Sequence, residues 1–391
     1  MISNIPTDEI FQLNNEFLND KRKNKINGGI GVYLDDEGKP FVLPVVKKAI
    51  TLLSYTNFNY LPINGDPVFL TESLKLILGN ELYTLFQNKV AQQGVSGGTN
   101  GLFMWGSLIK QDKKRPSIIL GNPTWENHKK IFSYLGFNII PYNHITSHNE
   151  FDFESLKKIL LKHTHTYILL HGGSTHNPTG TNPNKQQWKT LISLLKKNNH
   201  SVLFDFAYMG LGKSIDEDCY PIRLVIQNSI PTSIIVSYSK NMTLYQHRTG
   251  ALFMLGKTEK EKTTIESHLK YLFRIINSNP PAFGELIVKT ILTHQELKKE
   301  WISSLKDMTH SLYMRRKMFE EQTKGKFSYI IDQKGLFSLL NLSSTQISDL
   351  KKKYAIYLLS NSRINFGGIA SNQIPKLAQA VLSETKVLHN A

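Results

Sequence analysis

The 391-residue chain has one cysteine, Cys219, so it can form no internal disulfide, and a reducing compartment suits it. The surrounding DEDCYPI carries no signature of a catalytic thiol, so Cys219 is read as inert. Long apolar runs are also missing. Nothing approaches the roughly 20 residues that a membrane-spanning helix needs, and the first residues, MISNIPTDEIFQLNNEFLNDKRK, carry acids early and lack a signal peptide's apolar core. A cytoplasmic protein is expected. Acid is scarce beside base: 47 Lys and Arg stand against 31 Asp and Glu, a formal charge of +16. That balance raises nucleic acid or an anionic membrane as partners. The basic residues, however, fall in short groups (KRKNK at 21 to 25, KQDKKR at 110 to 115, KKK at 351 to 353) without interleaved aromatics. A solvated lysine-rich surface is expected, with no nucleic acid and no membrane. Metal-ligand spacing is absent too. His163, His165, His171 and His176 have no second ligand pair at a recognised interval, so no metal is expected, and His171 and His176 are read as hydrogen-bonding groups behind a site.

What is present is organised around Ser233 to Gly250, SIIVSYSKNMTLYQHRTG. The β-branched run from Ser233 to Ser237 suits a buried parallel strand. Lys240 follows just past its end, where open α/β folds place ligands. Ser237 lies three residues before it and Arg248 eight after it. These three supply an amine able to form an imine with an aldehyde, a hydroxyl and a forked cation for phosphate, which together describe an anchor for pyridoxal phosphate. A solvated surface lysine is the competing reading of the stretch taken alone. Upstream, Gly97, Gly98 and Thr99 stand immediately before a helical pattern, the layout of an anion site at a helix N-terminus. They are also ordinary helix-start residues.

Strand-like runs at 116 to 120, 166 to 171 and 201 to 206 alternate with helical stretches, which argues for a largely parallel sheet with helices on both faces. Each run ends in a polar cluster: GNPTWENH, GGSTHNPTG, and Asp205 with Tyr208. A chain of this length is expected to form two domains. The N-terminal arm has a short helical piece around Ile10, Phe11, Leu13, Phe17 and Leu18. Gly28, Gly29 and Gly31 permit close backbone approach, and Asp35 to Gly38 reads as a turn before a helix from about Pro44. A loop at 59 to 69 precedes a helix from about Leu70 to Asn88. Towards the C-terminus a helix from about His268 to Asn277 carries Arg274. SNPP breaks it, and a long helical stretch from Phe283 to Thr323 reads as solvated on its charged faces. SYIID, GLFSLLNL, YAIYLL and SRINFGGI read as strands, with a helix around Ser344 to Lys353. Arg363, flanked by apolar residues, needs a carboxylate, a phosphate or several carbonyls; an internal salt bridge also satisfies it.

The segments NPTWENH, HNPTG, DFAY, SYSKN with LYQHR, and SNPP together resemble the aspartate and aromatic aminotransferases, pyridoxal-phosphate enzymes of fold type I. The resemblance runs from Gly29 to Gly368. It implies a large domain with a mostly parallel seven-stranded sheet flanked by helices, plus a smaller α/β domain. The boundaries it implies are an N-terminal arm at 1–14, a small domain at 15–40 and 306–391, and a large cofactor-binding domain at 41–305. Lys240 would bind the cofactor covalently and move the proton, and Asp205, backed by His128, would face the pyridine nitrogen. Tyr208 and Asn177 would meet the phenolic oxygen, and Trp125 would stack on the ring. Gly98, Thr99, Ser237 and Arg248 would hold the phosphate, with Tyr60 reaching it from a neighbouring subunit. Arg363, helped by Asn177 and Gly31, would take the substrate α-carboxylate, and Trp125 lines the same place. Arg274 would reach across to the side-chain carboxylate. A homodimer with shared active sites follows, the arm embracing the partner.

The resemblance also implies ping-pong exchange of the amino group between L-aspartate and 2-oxoglutarate; an aromatic aminotransferase acting on tyrosine or phenylalanine is the alternative. Val32, Asn59, Thr99 and Asn279 favour aspartate, and Leu34, at a commonly polar position, favours the alternative. Further departures from the family pattern are Thr243 and Asn100 at usual glycines and His247 at a usual acid.

Overall fold

The computed structural model describes residues 7–53, 59–112, 114–173 and 175–386; the first six residues of the expected arm lie outside these. The chain forms two compact units. The larger comprises Val42–Thr175 and Thr181–Met308, and the smaller comprises residues 7–41, His176–Gly180 and residues 309–386.

The strands in chain order are β1 (Ile26–Asn27), β2 (Val90–Val95), β3 (Ser117–Asn122), β4 (Asn138–Asn143), β5 (Tyr167–His171), β6 (Ser201–Phe206), β7 (Thr232–Ser237), β8 (Gly250–Leu255), β9 (Phe337–Leu339), β10 (Ile356–Tyr357) and β11 (Arg363–Asn365). In the larger unit seven of them form one sheet in the order β2-β8-β7-β6-β5-β3-β4. Strands β3 to β7 run parallel, and only β8 opposes its neighbours. The expected parallel sheet is therefore present. The strand signals at 116 to 120, 166 to 171, 201 to 206 and 233 to 237 correspond to β3, β5, β6 and β7. Strands β2 and β4 were not legible for a physical reason. β2 contains Gln92 and Gln93, the latter buried with its amide donating to the carbonyls of Ile63 and Gly94. β4 is an edge strand that tolerates Pro141.

Side chains alternate across each strand. Ala91, Val95, Ile118, Leu120, Leu169, Leu203, Ile235, Leu252 and Met254 all enter one core with Leu102, Met104 and Trp105 of the helix Gly97–Asp112. Ile131 and Phe132 of the helix Glu126–Tyr134 and Leu269, Leu272 and Phe273 of the helix Glu259–Ile276 complete it. That last helix begins nine residues before its expected start, capped by Thr258, which accepts from the Glu261 amide. The helix expected from Leu70 begins at Pro67, because the Asp66 side chain accepts from the amides of Val68 and Phe69. It runs to Phe86 but breaks at Gly79 (φ 76°), and Arg223 donates to the carbonyls of Leu76 and Ile77 at the break.

The expected single helical stretch from Phe283 to Thr323 is two helices, Ala282–Thr293 and Gln295–Gln322. It is not solvated throughout: Arg315 and Arg316 are buried in the smaller unit. Arg315 donates to the carbonyls of Leu34, Phe366 and Gly367 and to Asp36, and Arg316 to those of Gly335 and Phe337 and to Ser338. The two guanidiniums thereby bind backbone carbonyls of the buried turns around these residues. In the same unit β1 pairs parallel with β10 and β11 antiparallel with β9. SYIID is a 3₁₀ turn at Ser328–Ile331 rather than a strand. Leu13 of the helix Glu9–Asn19 packs on Ala355, Tyr357 and Leu359. Gly28 and Gly29 sit where a Cβ would strike Leu358 and Leu13, so their smallness serves packing within the unit. His176–Gly180 belongs here because Gly180, at φ +67°, accepts from the Lys334 amide and lies against the Phe337 carbonyl.

Glu285 is buried at the start of the helix Ala282–Thr293 and accepts the Asp66 amide at 2.7 Å. Burial pushes its carboxyl up to about 8, against the hydrogen bond from the Asp66 amide, which favours the charged form; the Asp66 charge adds a smaller push upward. A raised carboxyl contributes stability that is complete below its unfolded value near 4.5 and is lost as pH rises to about 8. Urea denaturation should show wild-type stability falling across this window by up to about 1.4 kcal/mol per pH unit, and Glu285→Gln should flatten that slope.

Candidate active site

Alternation along the central strands also builds the site. Leu169, Leu203 and Ile235 face the core under the helix Gly97–Asp112. Two residues further along each strand come His171, Asp205 and Ser237, on the same face at the carboxyl ends. There the apolar contacts stop and a polar cluster begins. His171 and Asp205 are register partners. His128 joins them from the helix Glu126–Tyr134, one turn before Ile131 and Phe132.

His128 is fully buried. Its Nε2 lies 2.9 Å from Asp205 Oδ2, and its Nδ1 lies 2.8 Å from the Thr124 hydroxyl. With Nε2 protonated, the ring donates to the carboxylate and accepts from Thr124. Burial alone would raise the Asp205 pKa. The His128 hydrogen bond, with the fields of His128, His171 and Lys240, outweighs it, and the carboxyl is held below its ordinary value. Asp205 is thus a buried carboxylate that stays charged. Burial lowers His171 to about 3, which keeps its ring neutral. His128, His171 and Asp205 offer ligand atoms within 4.8 Å of one another. Within it, His128 is hydrogen-bonded to Asp205, and the His171 ring centre lies 5.8 Å from that of His128.

Lys240 and Tyr208 stand beside this anion. The lysine Nζ is 5.3 Å from the centre of the Tyr208 ring, and Tyr208 is buried. Trp125 is half-buried and packs edge-on against His128, with ring centres 5.2 Å apart. The phosphate candidates also converge. Gly97 has φ +78°, and a Cβ there would come within 2.6 Å of the Arg248 guanidinium. Arg248, itself at φ +50°, donates from Nη1 to Ser239 Oγ and the Tyr245 carbonyl. Ser237 Oγ donates to Ser239 Oγ at 3.1 Å, and a Cβ on Gly98 would sit 3.7 Å from Ser237 Cβ. Two hydroxyls, a guanidinium and the amide end of the helix that carries Gly98 and Thr99 therefore meet at one point, a surround for a dianion.

In the smaller unit, Arg363 on β11 is buried. It donates to Asn177 Oδ1 at 3.1 Å and to the Gly29 carbonyl at 2.7 Å, and stacks over Phe337 at 4.4 Å. These named partners are neutral: an amide oxygen, a backbone carbonyl and an aromatic ring. Gly31 has Phe337 as its nearest neighbour, at 3.9 Å from a built Cβ. Arg274 and Tyr60 do not join either group. Both are exposed on the larger unit, Tyr60 at 88% of its surface, and Arg274 donates to Ser278 Oγ at 2.7 Å.

The sequence profile of Aminotransferase class I and II matches residues 23–381. The chain belongs to this family. The aspartate aminotransferase of Haemophilus influenzae is 33% identical over 385 residues, spanning 96% of this chain and 97% of that one. Among solved structures, the aromatic-amino-acid aminotransferase of Burkholderia pseudomallei, covalently bound to pyridoxal phosphate, superposes at TM-score 0.94 with 29% identity over 98% of both chains. The cytoplasmic aspartate aminotransferase of Saccharomyces cerevisiae gives the same TM-score and identity over 99% of this chain and 98% of that one. The architecture is that of a fold type I aminotransferase.

Sequence reasoning passed over two members of this aminotransferase's polar cluster. Thr124 lay in NPTWENH and Ser239 in SYSKN, each adjacent to a residue already singled out. A small hydroxyl announces itself only through geometry. Thr243 adopts φ +53°, which accounts for the glycine usual there, and His247 packs on Phe283 with ring centres 5.1 Å apart. A histidine held neutral by burial contributes stability that is full above its unfolded value near 6.5 and declines as pH falls towards about 3. Thermal denaturation between pH 7 and pH 5 should therefore lower the wild-type midpoint more than that of His171→Gln.

Proposed function

We propose that this aminotransferase uses pyridoxal phosphate to exchange the amino group between L-aspartate and 2-oxoglutarate, by a ping-pong mechanism, as a cytoplasmic homodimer. The cofactor assignment rests chiefly on Asp205, a buried carboxylate held ionised by His128 and facing the field of Lys240. An ionised group at that depth suits the protonated nitrogen of a pyridine ring. The dianion surround built from Gly98, Thr99, Ser237, Ser239 and Arg248 suits the phosphate. Only glycine fits at Gly97, where a Cβ would displace the Arg248 guanidinium.

Bound there, pyridoxal phosphate supplies an aldehyde that captures amines and a ring that draws electron density from the substrate Cα. The chain's own groups do the rest. Lys240 would hold the cofactor through its Nζ, and the same amine, when neutral, would serve as the base for the substrate Cα proton. Asp205 keeps the ring nitrogen protonated, and His128 and Thr124 keep Asp205 aimed. Tyr208 and Asn177 would be the donors for the cofactor's phenolic oxygen, and Trp125 the aromatic group for its ring. Arg363 takes the α-carboxylate bidentately, oriented by Asn177, with Gly31 leaving room for it. Arg274 takes the second carboxylate and Tyr60 the phosphate, both from the neighbouring subunit. The homodimer draws support from exposure around these two groups. Tyr60 leaves 88% of its surface uncovered, and Tyr271 and Ile275, which flank Arg274 in sequence, leave 64% each, apolar area that a partner would cover. For localisation, no helix among the described residues is long and apolar enough to cross a membrane.

The second reading, an aromatic aminotransferase, has Leu34 in its favour: it is only partly buried, and its backbone is fixed by donation to Gly367 at 2.7 Å. Steady-state assays with 2-oxoglutarate as acceptor and aspartate, tyrosine or phenylalanine as donor separate the two. Aspartate should give the highest kcat/KM. Arg274→Leu should lower that value on the order of a hundred-fold, the cost of leaving a carboxylate without its cation, while the aromatic donors change little. Aromatic donors that equal aspartate and survive the substitution would establish the alternative. Lys240→Ala should abolish turnover with every donor.

A further inference from the structure

Asn100, which stands where the family usually has glycine, is part of a closed ring of hydrogen bonds. The Ser96 amide donates to Asn100 Oδ1 at 3.0 Å, Asn100 Nδ2 donates to Asn277 Oδ1 at 2.9 Å, and Asn277 Nδ2 donates to Ser96 Oγ at 3.2 Å. Each amide group uses its oxygen once and its nitrogen once, so the ring fixes the orientation of both side chains. The ring joins two places far apart in sequence. Ser96 and Asn100 bracket Gly97, Gly98 and Thr99, the start of the helix that forms the phosphate surround. Asn277 caps the end of the helix Glu259–Ile276, whose last turn carries Arg274. Beyond the cap, Ser278 accepts from Arg274, and Asn279 donates to the Leu61 carbonyl at 2.7 Å, next to Tyr60.

Arg274 is solvent-exposed and long, so its direction depends on how firmly its helix end is held. Backbone at a helix terminus frays unless side chains satisfy it. Here the holding is done by a residue from the phosphate helix. We propose that Asn100 is a specificity-determining positioning residue. Through Asn277 it clamps the Arg274 helix end to the phosphate surround, and so sets where the guanidinium meets the second carboxylate of a dicarboxylic substrate. This rests on the reading of Arg274 given above. A glycine at this position has no side chain to close the ring, so an enzyme with glycine there must hold the same helix end by other means.

The test is spectral titration of the holoenzyme with two ligands that lack an amine: succinate, which has two carboxylates, and 3-phenylpropionate, which has one. The variants are Asn100→Ala, Asn277→Ala and the double substitution; alanine is the best helix former, so the helix at Asn100 is not put at risk. Each single variant should bind succinate about five-fold more weakly or worse and 3-phenylpropionate within about two-fold of wild type. The double variant should be no worse than the poorer single, because either change opens the same ring. Half-reaction rates should follow: aspartate loses through KM with kcat nearly unchanged, and phenylalanine is unaffected. Equal weakening of both ligands, additive losses in the double variant, or variants that discriminate as well as wild type would overturn the proposal. A wild type that prefers neither succinate nor aspartate would overturn the reading of Arg274 and the ring's role with it.

Discussion

The larger unit's site is arranged around one unfavourable act, the burial of a carboxylate. Asp205 sits at the end of a strand whose preceding inward residue, Leu203, is in the core. An isolated charge there would take up a proton. It stays ionised because His128 donates to it, and His128 can do so because Thr124 occupies its other nitrogen. The chain of three groups is what turns a strand end into a site. It also explains why the neighbouring His171 is best left neutral: a second donor-acceptor in the cluster adds polarity without adding another charge to solvate.

The smaller unit answers the same problem with cations. Arg315, Arg316 and Arg363 are all buried there, and the partners named for them are mostly backbone carbonyls. Guanidinium is the side chain suited to this, because it spreads its charge over a plane with five donors. Arg315 and Arg316 spend those donors on the turns around β9 and β11 and so hold the segment from which Arg363 projects. Arg363 differs in the company it keeps, an amide oxygen and one carbonyl with an aromatic face beneath.

How far this was legible from sequence depended on what kind of signal each residue emitted. The β-branched strands β3, β5, β6 and β7 declared themselves, and with them the strand-end residues Asp205, Tyr208 and Lys240. The family resemblance brought His128 and Asn177 to attention, the anchor stretch Arg248, and its apolar flanks Arg363; the structure puts His128 beside the anion, Arg248 in the phosphate surround, and Asn177 together with Arg363. Strand β2 was hidden because its glutamines are buried and satisfied by carbonyls, which no periodicity reveals. Arg315 and Arg316 looked like solvent-facing charge because helix periodicity cannot distinguish a buried cation fed by carbonyls from an exposed one. The Asn100 ring was illegible for a different reason: its members are 177 residues apart, and only the unusual residue at Asn100 hinted at it.

The interruption at Gly79 has a bearing on the order of assembly. The two pieces of the Pro67–Phe86 helix share no continuous ladder of backbone bonds, and Arg223, from the helix Ile215–Gln227, supplies the donors that the break removes. Neither piece exceeds the roughly 12 to 15 residues below which a helix is marginal in water. Their helicity therefore depends on packing, including that of the segment bearing Arg223, which lies 146 residues further along the chain than Ile77. Phe69, Leu74 and Ile77 are fully buried in the fold, so during synthesis they await a layer encoded well downstream, a vulnerability that belongs to biogenesis and leaves no trace in the finished enzyme.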